Sequence, residues 1–214
     1  MKKIITIILS VILLVGGYSC TNNFEEINTN PNRTLVGMIQ ASNMFEPILY
    51  KSANQWLYRT WYYNNELIQF TAHTGGVTRR EHMYFLEEQR DWYGFWNHYA
   101  TYGKNIDHMY ELAQEQNDRS LEAIALTFKA LFTSNMTDMF GSIPYVEAFT
   151  GRKTDGTLTP KFNTQKEIYE SLFEILETAN DIYASNPTFI NTTLDGMYGG
   201  NMNSWRKFNN SLYL

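Results

Sequence analysis

Apolar residues between positions 121 and 132 recur at intervals of three and four, which is the period of an α-helix with one buried face. The residues of this stripe are Leu121, Ile124, Ala125, Phe128, Leu131 and Phe132. Asn117 or Asp118 can cap the start of the helix, and Gly141 suits the left-handed residue that often follows a helix end. The pattern therefore predicts one long amphipathic helix that ends just before Gly141.

A second helix is predicted to begin after Thr164. Thr164 and Glu167 have the spacing of a capping box, in which each side chain binds the backbone N–H of the other residue. The apolar stripe that follows consists of Ile168, Leu172, Ile175, Leu176, Ala179 and Tyr183. The dipeptide Asn186-Pro187 stops the helix, because proline disfavours a helical conformation in the residue before it.

Three less regular helical patterns cover Leu35 to Tyr50, Gln55 to Thr71 and Asp91 to Glu115. No run of residues shows sustained alternation of polar and apolar positions, so a large β-sheet is not expected. Helices that are joined by short turns favour antiparallel hairpins, although no regular repeat of 34 residues is visible. The sequence predicts an all-α fold.

Residues 1–19 have the features of a secretory signal peptide. Lys2 and Lys3 precede an apolar run, residues 4–15, which is shorter than the roughly 20 residues of a membrane-spanning helix. We interpret the segment as a cleaved leader, with a retained membrane helix as the alternative. Small residues then lead to Cys20, the only cysteine of the chain, so no intramolecular disulfide can form.

Cys20 stands where a bacterial lipoprotein carries its lipid anchor, directly after the apolar run and the small residues. Its thiol would form a thioether to diacylglycerol; an incidental free thiol is the alternative. Gly17 occupies the position, three residues before the cysteine, at which leucine is usual. Residues 20–34 are rich in Asn and would form the lipidated N-terminus and a flexible tether. Two or more acyl chains would give stable anchoring.

The charge balance disfavours nucleic acid as a partner. The chain has 17 basic and 22 acidic residues, a net charge of −5, and no basic patch with interleaved aromatic residues. Aromatic residues make up 15% of the chain and charged residues 18%. This composition suits a protein that handles neutral, hydroxylated ligands, and equally a helical core that is packed with aromatic side chains.

The sequence predicts neither an enzyme nor a metal site. Its histidines, which are His73, His82, His98 and His108, show no zinc spacing. His108 and Glu111 can share one helix face, which we interpret as a solvated edge. Glu87 and Glu88 are adjacent, and neighbours on a helix diverge too much to flank one glycosidic bond. Nucleophile-elbow, phosphate-loop and dinucleotide motifs are absent.

Three blocks of sequence follow one another after residue 137. They are Asp138 to Ala148 (DMFGSIPYVEA), then Pro160 to Gln165 followed by Ile168-Tyr169, and finally Asp195 to Leu212 with the Gly199-Gly200 pair and Trp205. In this order and at this spacing, the blocks resemble the SusD/RagB family of outer-membrane lipoproteins. Proteins of that family capture nutrients, mostly glycans, for TonB-dependent transporters in Bacteroidetes.

The resemblance implies an array of tetratricopeptide-like helical hairpins over residues 35–214. The chain ends at Leu214, shortly after the third block, so we expect it to be truncated and to hold the N-terminal half of such a protein. A SusC-like TonB-dependent porin is the implied partner, and the implied ligand is an oligosaccharide or, as in RagB-like members, a peptide. The resemblance also implies that the protein is anchored by lipid in the outer membrane and exposed at the cell surface. It implies no cofactor.

The segment from Phe70 to Trp92 is the predicted ligand-binding region. A sugar needs an exposed aromatic face with planar polar groups around it, and Arg79, Arg80, Tyr84 and Trp92 supply both. The alternative is a plain exposed loop with Trp92 packed against the helix that it opens. Other aromatic residues are assigned to the core: Phe95, Trp96 and Tyr99 by their helical spacing, and Trp56, Trp61, Tyr62 and Tyr63 more ambiguously.

Overall fold

The computed structural model describes residues 24–30, 36–72, 94–189 and 191–214. Its α-helices are α1 (Phe24–Asn28), α2 (Ala41–Arg59), α3 (Asn65–Leu67), α4 (Lys104–Glu115), α5 (Arg119–Phe140), α6 (Gln165–Ala184) and α7 (Met202–Tyr213). Short 3-10 turns lie at Val36–Met38, Thr150–Arg152 and Thr192–Leu194, and π-helical turns at Thr60–Asn64 and Tyr99–Gly103. The strands β1 (Ile143–Pro144) and β2 (Phe162–Asn163) form one antiparallel pair. The prediction of an all-α fold is confirmed.

The chain divides into two compact units, Met1–Ile39 and Gln40–Leu214. In the described part of the first unit, α1 and the turn at Val36–Met38 are the regular elements. All the helices from α2 to α7 belong to the second unit. No helix in the part of the chain that the structure describes is long and apolar enough to span a membrane.

Local signals determine both ends of α5 and the start of α6. Asp118 is the cap of α5, since its Oδ1 accepts a hydrogen bond from the Leu121 N–H at 3.0 Å. Gly141 follows the helix with φ of 70°, as predicted. The capping box of α6 is also confirmed: Thr164 Oγ1 accepts from the Glu167 N–H at 3.3 Å, and Glu167 Oε2 accepts from the Thr164 N–H at 2.8 Å.

The predicted helix boundaries before residue 72 are wrong. One helix, α2, runs from Ala41 to Arg59 through Pro47, where the sequence predicts two helices with a break between Tyr50 and Gln55. The helix continues because Phe45, Ile48 and Ser52 bury one of its faces, so that tertiary packing outweighs the local break signal.

The residues of the three sequence blocks mainly contact other parts of the fold. The first block meets the second because β1 pairs with β2, and the Asn163 Oδ1 accepts hydrogen bonds from the backbone N–H groups of Tyr145 and Val146. The first block also supplies Asp138, whose carboxylate accepts a hydrogen bond from the Tyr169 hydroxyl at 2.7 Å. Burial and this carboxylate raise the pKa of Tyr169 to about 12.

The third block folds around the buried carboxylate of Asp195. Its oxygens accept hydrogen bonds from the backbone N–H groups of Met197, Tyr198 and Gly200 and, at 2.8 Å, from the Trp205 Nε1–H. The Trp205 side chain is fully buried, and its ring contacts the rings of Phe45, Phe128, Tyr198 and Phe208. The side chains of the third block therefore pack the fold together.

A buried polar network joins α5, α6 and α7. Thr127 Oγ1 lies 3.0 Å from both the Tyr183 hydroxyl and the Asn209 Oδ1, and the Asn209 Nδ2–H donates to the Leu176 carbonyl at 2.9 Å. Burial raises the pKa of Tyr183. Because each polar atom has a partner, the network fixes the register of three helices at little cost in desolvation.

The aromatic residues after position 55 divide between core and surface. Phe95 and Tyr99 are buried, as predicted, and Trp96 is half-buried between Phe140 and Phe162. Trp56 is half-buried against Phe95. Trp61, however, is 62% exposed, so its assignment to the core is wrong. Trp61 lies in the π-helical turn Thr60–Asn64, where the wider helical period moves side chains away from the buried stripe of α2.

Candidate binding surface

The four predicted ligand contacts, Arg79, Arg80, Tyr84 and Trp92, lie outside the described residues and remain predictions. The predicted lipidation site, Cys20, and two of the histidines, His73 and His82, also lie outside them. The structure does describe both flanks of the predicted binding segment. Its N-terminal flank runs from the end of α2 through the π-helical turn and α3 to residue 72, and its C-terminal flank is helical from residue 94 in the described part of the chain.

The N-terminal flank carries a row of exposed apolar and aromatic side chains, which we name the aromatic surface. It consists of Leu57, Tyr58, Trp61, Ile68 and Phe70. Tyr58 is 53% and Phe70 81% exposed, and the rings of Tyr58 and Trp61 lie 6.4 Å apart at an angle of 44°. Adjacent exposed aromatic rings such as Tyr58 and Trp61 are typical of interaction sites.

A largely apolar cavity of about 180 Å³ lies between α2, α5 and α7. Its walls include the side chains of Trp56, Phe128, Phe132, Met136 and Phe208. Such a lining offers few hydrogen-bond partners to a hydroxylated ligand, so it does not suit a sugar.

A second concavity, the polar cleft, lies between α4 and residues 148–153 and has a volume of about 240 Å³. One wall is the face of α4 that carries Lys104, Asp107, His108 and Glu111, whose spacing of three and four residues aligns them. The opposite wall consists of Ala148, Phe149, Arg152 and Lys153. The sequence alone predicts a solvated edge for His108 and Glu111; in the structure both side chains form a partly buried wall.

Ion pairs hold part of the polar cleft in place. The Lys129 Nζ donates to the Asp107 Oδ1 at 2.8 Å, and the Lys153 Nζ lies 2.5 Å from the Glu111 Oε1. Burial alone would lower the pKa of Lys129, but the adjacent Asp107 raises it above its usual value. Burial likewise would raise the pKa of Glu111, whereas Lys153 and His108 together lower it. The Glu111 carboxylate therefore stays ionised near neutral pH.

The loop that forms the second wall is closely fitted to the helices. Phe149 has a left-handed backbone with φ of 60°, which is unusual for a residue with a bulky side chain. Its ring lies 5.2 Å from the Tyr99 ring and directly over Gly103, where a Cβ atom would lie only 2.7 Å from the Phe149 Cζ. Only glycine at position 103 permits this approach.

The family membership follows from the extent of the match to a known family model. Residues 31–214 match the model described as SusD-like, starch-binding associating with outer membrane. The chain belongs to the SusD-like family. The resemblance that the three blocks carry is thereby confirmed.

One solved structure of a related protein shares the fold of this SusD-like chain. A SusD/RagB family protein from Bacteroides thetaiotaomicron aligns with 81% of the chain and 37% of its own length, with a TM-score of 0.62 and 18% identity. A SusD homologue from Bacteroides fragilis aligns with 54% of the chain and 24% of its own length, with a TM-score of 0.48 and 29% identity. The chain thus spans less than two fifths of either protein. No curated protein matches it significantly.

Neither the aromatic surface nor the polar cleft follows from a sequence motif. The aromatic surface is indicated in the sequence only by the cluster of aromatic residues at positions 56–63. The sequence does not show which rings of this cluster are buried and which are exposed. The polar cleft is indicated only by the polar face of α4, and nothing in the sequence places that face opposite Phe149 and Arg152. Among the described residues, no group of three His, Cys, Asp or Glu side chains is arranged to hold a metal ion.

Proposed function

We propose that this SusD-like chain is a lipid-anchored protein at the surface of the outer membrane, which binds nutrient oligosaccharides and passes them to a SusC-like TonB-dependent transporter. Membership of a family described as starch-binding and associated with the outer membrane supports the ligand class and the location. The lipid anchor would be Cys20. No bond of the ligand would be altered, and turnover in a reducing-sugar assay would contradict this part of the proposal.

The single observation that carries the proposal is the exposure of Tyr58 and Trp61 beside the predicted binding segment. A pyranose ring presents a flat patch of C–H groups, which packs on an aromatic face, while its hydroxyl groups require polar side chains nearby. Tyr58 and Trp61 supply two adjacent rings, and Arg79 and Arg80 would supply the hydrogen bonds. A shallow platform of this kind gives modest affinity, which suits release of the ligand to a transporter.

One observation favours a second candidate function, which is a structural role as a partner or lid of the porin without glycan affinity. Leu57, Ile68 and Phe70 extend the aromatic surface with groups that offer no hydrogen bonds to sugar hydroxyls. An apolar extension of this kind suits contact with another protein. A RagB-like peptide ligand would use the same groups.

Affinity electrophoresis and isothermal titration against a panel of neutral glycans test the proposal. We expect at least one glycan to bind, and Trp61→Ala to weaken that binding by about tenfold because a stacking face is lost. Tyr50→Ala is the matched control, since Tyr50 is an exposed aromatic residue of α2 that lies outside the aromatic surface. If no glycan of the panel binds, the proposal that the protein binds sugars is wrong. Co-purification with the porin in that case would support the structural role.

A further inference from the structure

We propose that the polar cleft is a separate binding site for sugar units that carry a carboxylate, such as uronic acids. The proposal uses none of the residues of the aromatic surface and does not depend on glycan binding there.

The cations of the cleft first indicate an anionic group on the ligand. Lys153 of the cleft is neutralised by Glu111, and Asp107 of the cleft pairs with Lys129, which lies on α5 outside the cleft lining. Lys104 and Arg152 stand on opposite walls and have neither an ion pair nor a hydrogen bond within the described part of the chain. The chain as a whole is acidic, with a net charge of −5, so two unpaired cations in one concavity are a local excess of positive charge. A carboxylate between the two walls would pair with both.

The acceptors of the cleft indicate hydroxyl groups on the same ligand. Asp107 and Glu111 each bind a lysine through one carboxylate oxygen, which leaves a second oxygen to accept hydrogen bonds. The His108 Nδ1 is buried, and its nearest polar partner is the Glu111 Oε2 in an ion pair of 3.8 Å, which is longer than a hydrogen bond. Buried polar atoms usually have partners, and a ligand hydroxyl would supply one here.

The remaining wall suits the C–H face of a sugar ring. Phe149 and Ala148 form the apolar side of the cleft. The volume of about 240 Å³ is below the range of roughly 300–1,000 Å³ that is usual for drug-sized ligands. The cleft therefore accommodates one sugar unit better than an extended ligand.

The combination of donors and acceptors separates a uronic acid from simpler ligands. A neutral sugar leaves Lys104 and Arg152 without an anion. An inorganic anion or an acidic peptide pairs with these cations. Neither carries the hydroxyl groups of a sugar, which would donate hydrogen bonds to Asp107, Glu111 and His108. A uronic acid satisfies both sets of groups at once.

The cleft is held in shape before any ligand enters. Thr150 Oγ1 donates to the Glu147 carbonyl at 2.8 Å, and the Gly156 N–H donates to the Lys153 carbonyl at 3.0 Å. A Cβ atom on Gly156 would lie 1.7 Å from the Thr150 carbonyl oxygen, so the loop closes on itself at a glycine. Preorganisation of this kind lowers the entropy cost of binding.

Isothermal titration of the purified chain with three probes tests the proposal. The probes are tri-galacturonate, the neutral galactose trisaccharide and tri-glutamate. We expect tri-galacturonate to bind most tightly, and Lys104→Gln and Arg152→Gln each to weaken it by about tenfold. Lys166→Gln is the matched control, because it removes the same charge from a side chain that is 84% exposed outside the cleft. The control variant should bind the uronate as the wild type does.

Four results would overturn the proposal. They are no binding of tri-galacturonate at millimolar concentration, equal binding of the neutral trisaccharide, tighter binding of tri-glutamate, and an equal loss in the Lys166→Gln variant. Melting temperatures of the variants exclude loss of the fold as the cause. The neutral-glycan experiment with Trp61→Ala reports on different residues. A failure at the aromatic surface therefore leaves this result unaffected, and uronate binding should persist in the Trp61→Ala variant.

Discussion

The third sequence block and the aromatic surface are both rich in aromatic residues, yet they use them in opposite ways. Trp205 is fully buried and its indole N–H is bound by Asp195, whereas Trp61 is 62% exposed at the end of α2. The third block, which helps to identify the family, therefore has its aromatic residue Trp205 in the interior of the fold. The side chains that face solvent carry no recognisable pattern. Changes in the two regions should separate stability from binding.

The largest expected effect on stability comes from Trp205→Ala. The substitution removes a fully buried ring with four aromatic neighbours and leaves the Asp195 carboxylate without one of its donors. We expect a loss of about 3–5 kcal/mol in the free energy of unfolding, measured by chemical denaturation. A loss below 1 kcal/mol would show that the third block is not essential to the core.

Disruption of the buried network should come next. Asn209→Leu removes the hydrogen bonds of Asn209 to Thr127 and to the Leu176 carbonyl, and we expect a loss of about 1–3 kcal/mol in the free energy of unfolding. Thr127 keeps the Tyr183 hydroxyl and the Ala123 carbonyl as partners. A double-mutant cycle with Thr127→Val measures the coupling. If the two losses simply add, the network does not act as a unit.

Gly103→Ala tests the fit between α4 and the loop at Phe149. The new Cβ would lie 2.7 Å from the Phe149 Cζ, so we expect destabilisation by about 1–3 kcal/mol. Thermal unfolding of the Gly103→Ala/Phe149→Leu variant is the control. The smaller side chain at position 149 should recover part of the loss, and no recovery would mean that another contact limits position 103.

A smaller, pH-dependent effect is expected at the junction of the first two blocks. The pKa of Tyr169 is raised to about 12, so its contribution to stability is complete below pH 10 and is lost as the pH rises through 12. Asp138→Asn removes the negative charge and should lower this pKa towards 10. Ultraviolet titration of the tyrosines checks the shift, and an unchanged titration curve would assign the raised pKa to burial alone.

The smallest effect on stability is expected at the aromatic surface. Trp61→Ala and Tyr58→Ala should change the free energy of unfolding by no more than about 0.5 kcal/mol, because exposed side chains lose few contacts on truncation. Denaturation curves check this expectation. A loss comparable to that of Trp205→Ala would mean that the surface is part of the core, and the contrast between the two regions would fail.

The sequence predicts those features whose signals are local. The cap of α5 at Asp118, the capping box at Thr164 and the stripe of α6 follow from residues three or four positions apart, and the structure has them as predicted. The break predicted after Tyr50 is absent, because burial of Phe45 and Ile48 depends on helices that come later in the chain. Local helix propensity does not include such long-range contacts.

The candidate sites depend even more on distant contacts. The polar face of α4 was visible in the sequence, but its pairing with Arg152 depends on the crossover through β1 and on the close approach of Phe149 to Gly103. The exposure of Trp61 results from a π-helical turn, for which the sequence gives no distinct signal. Local patterns therefore identified the fold and the family, and tertiary geometry determined which surfaces are open to a ligand.

The Asp195 carboxylate binds three backbone N–H groups and one indole N–H, so a single side chain closes the turn that leads into α7. Each oxygen of this carboxylate already accepts two hydrogen bonds, so neither has capacity left for a ligand. The exposed surfaces can therefore change without a change in this turn, since Asp195 contributes to the scaffold alone.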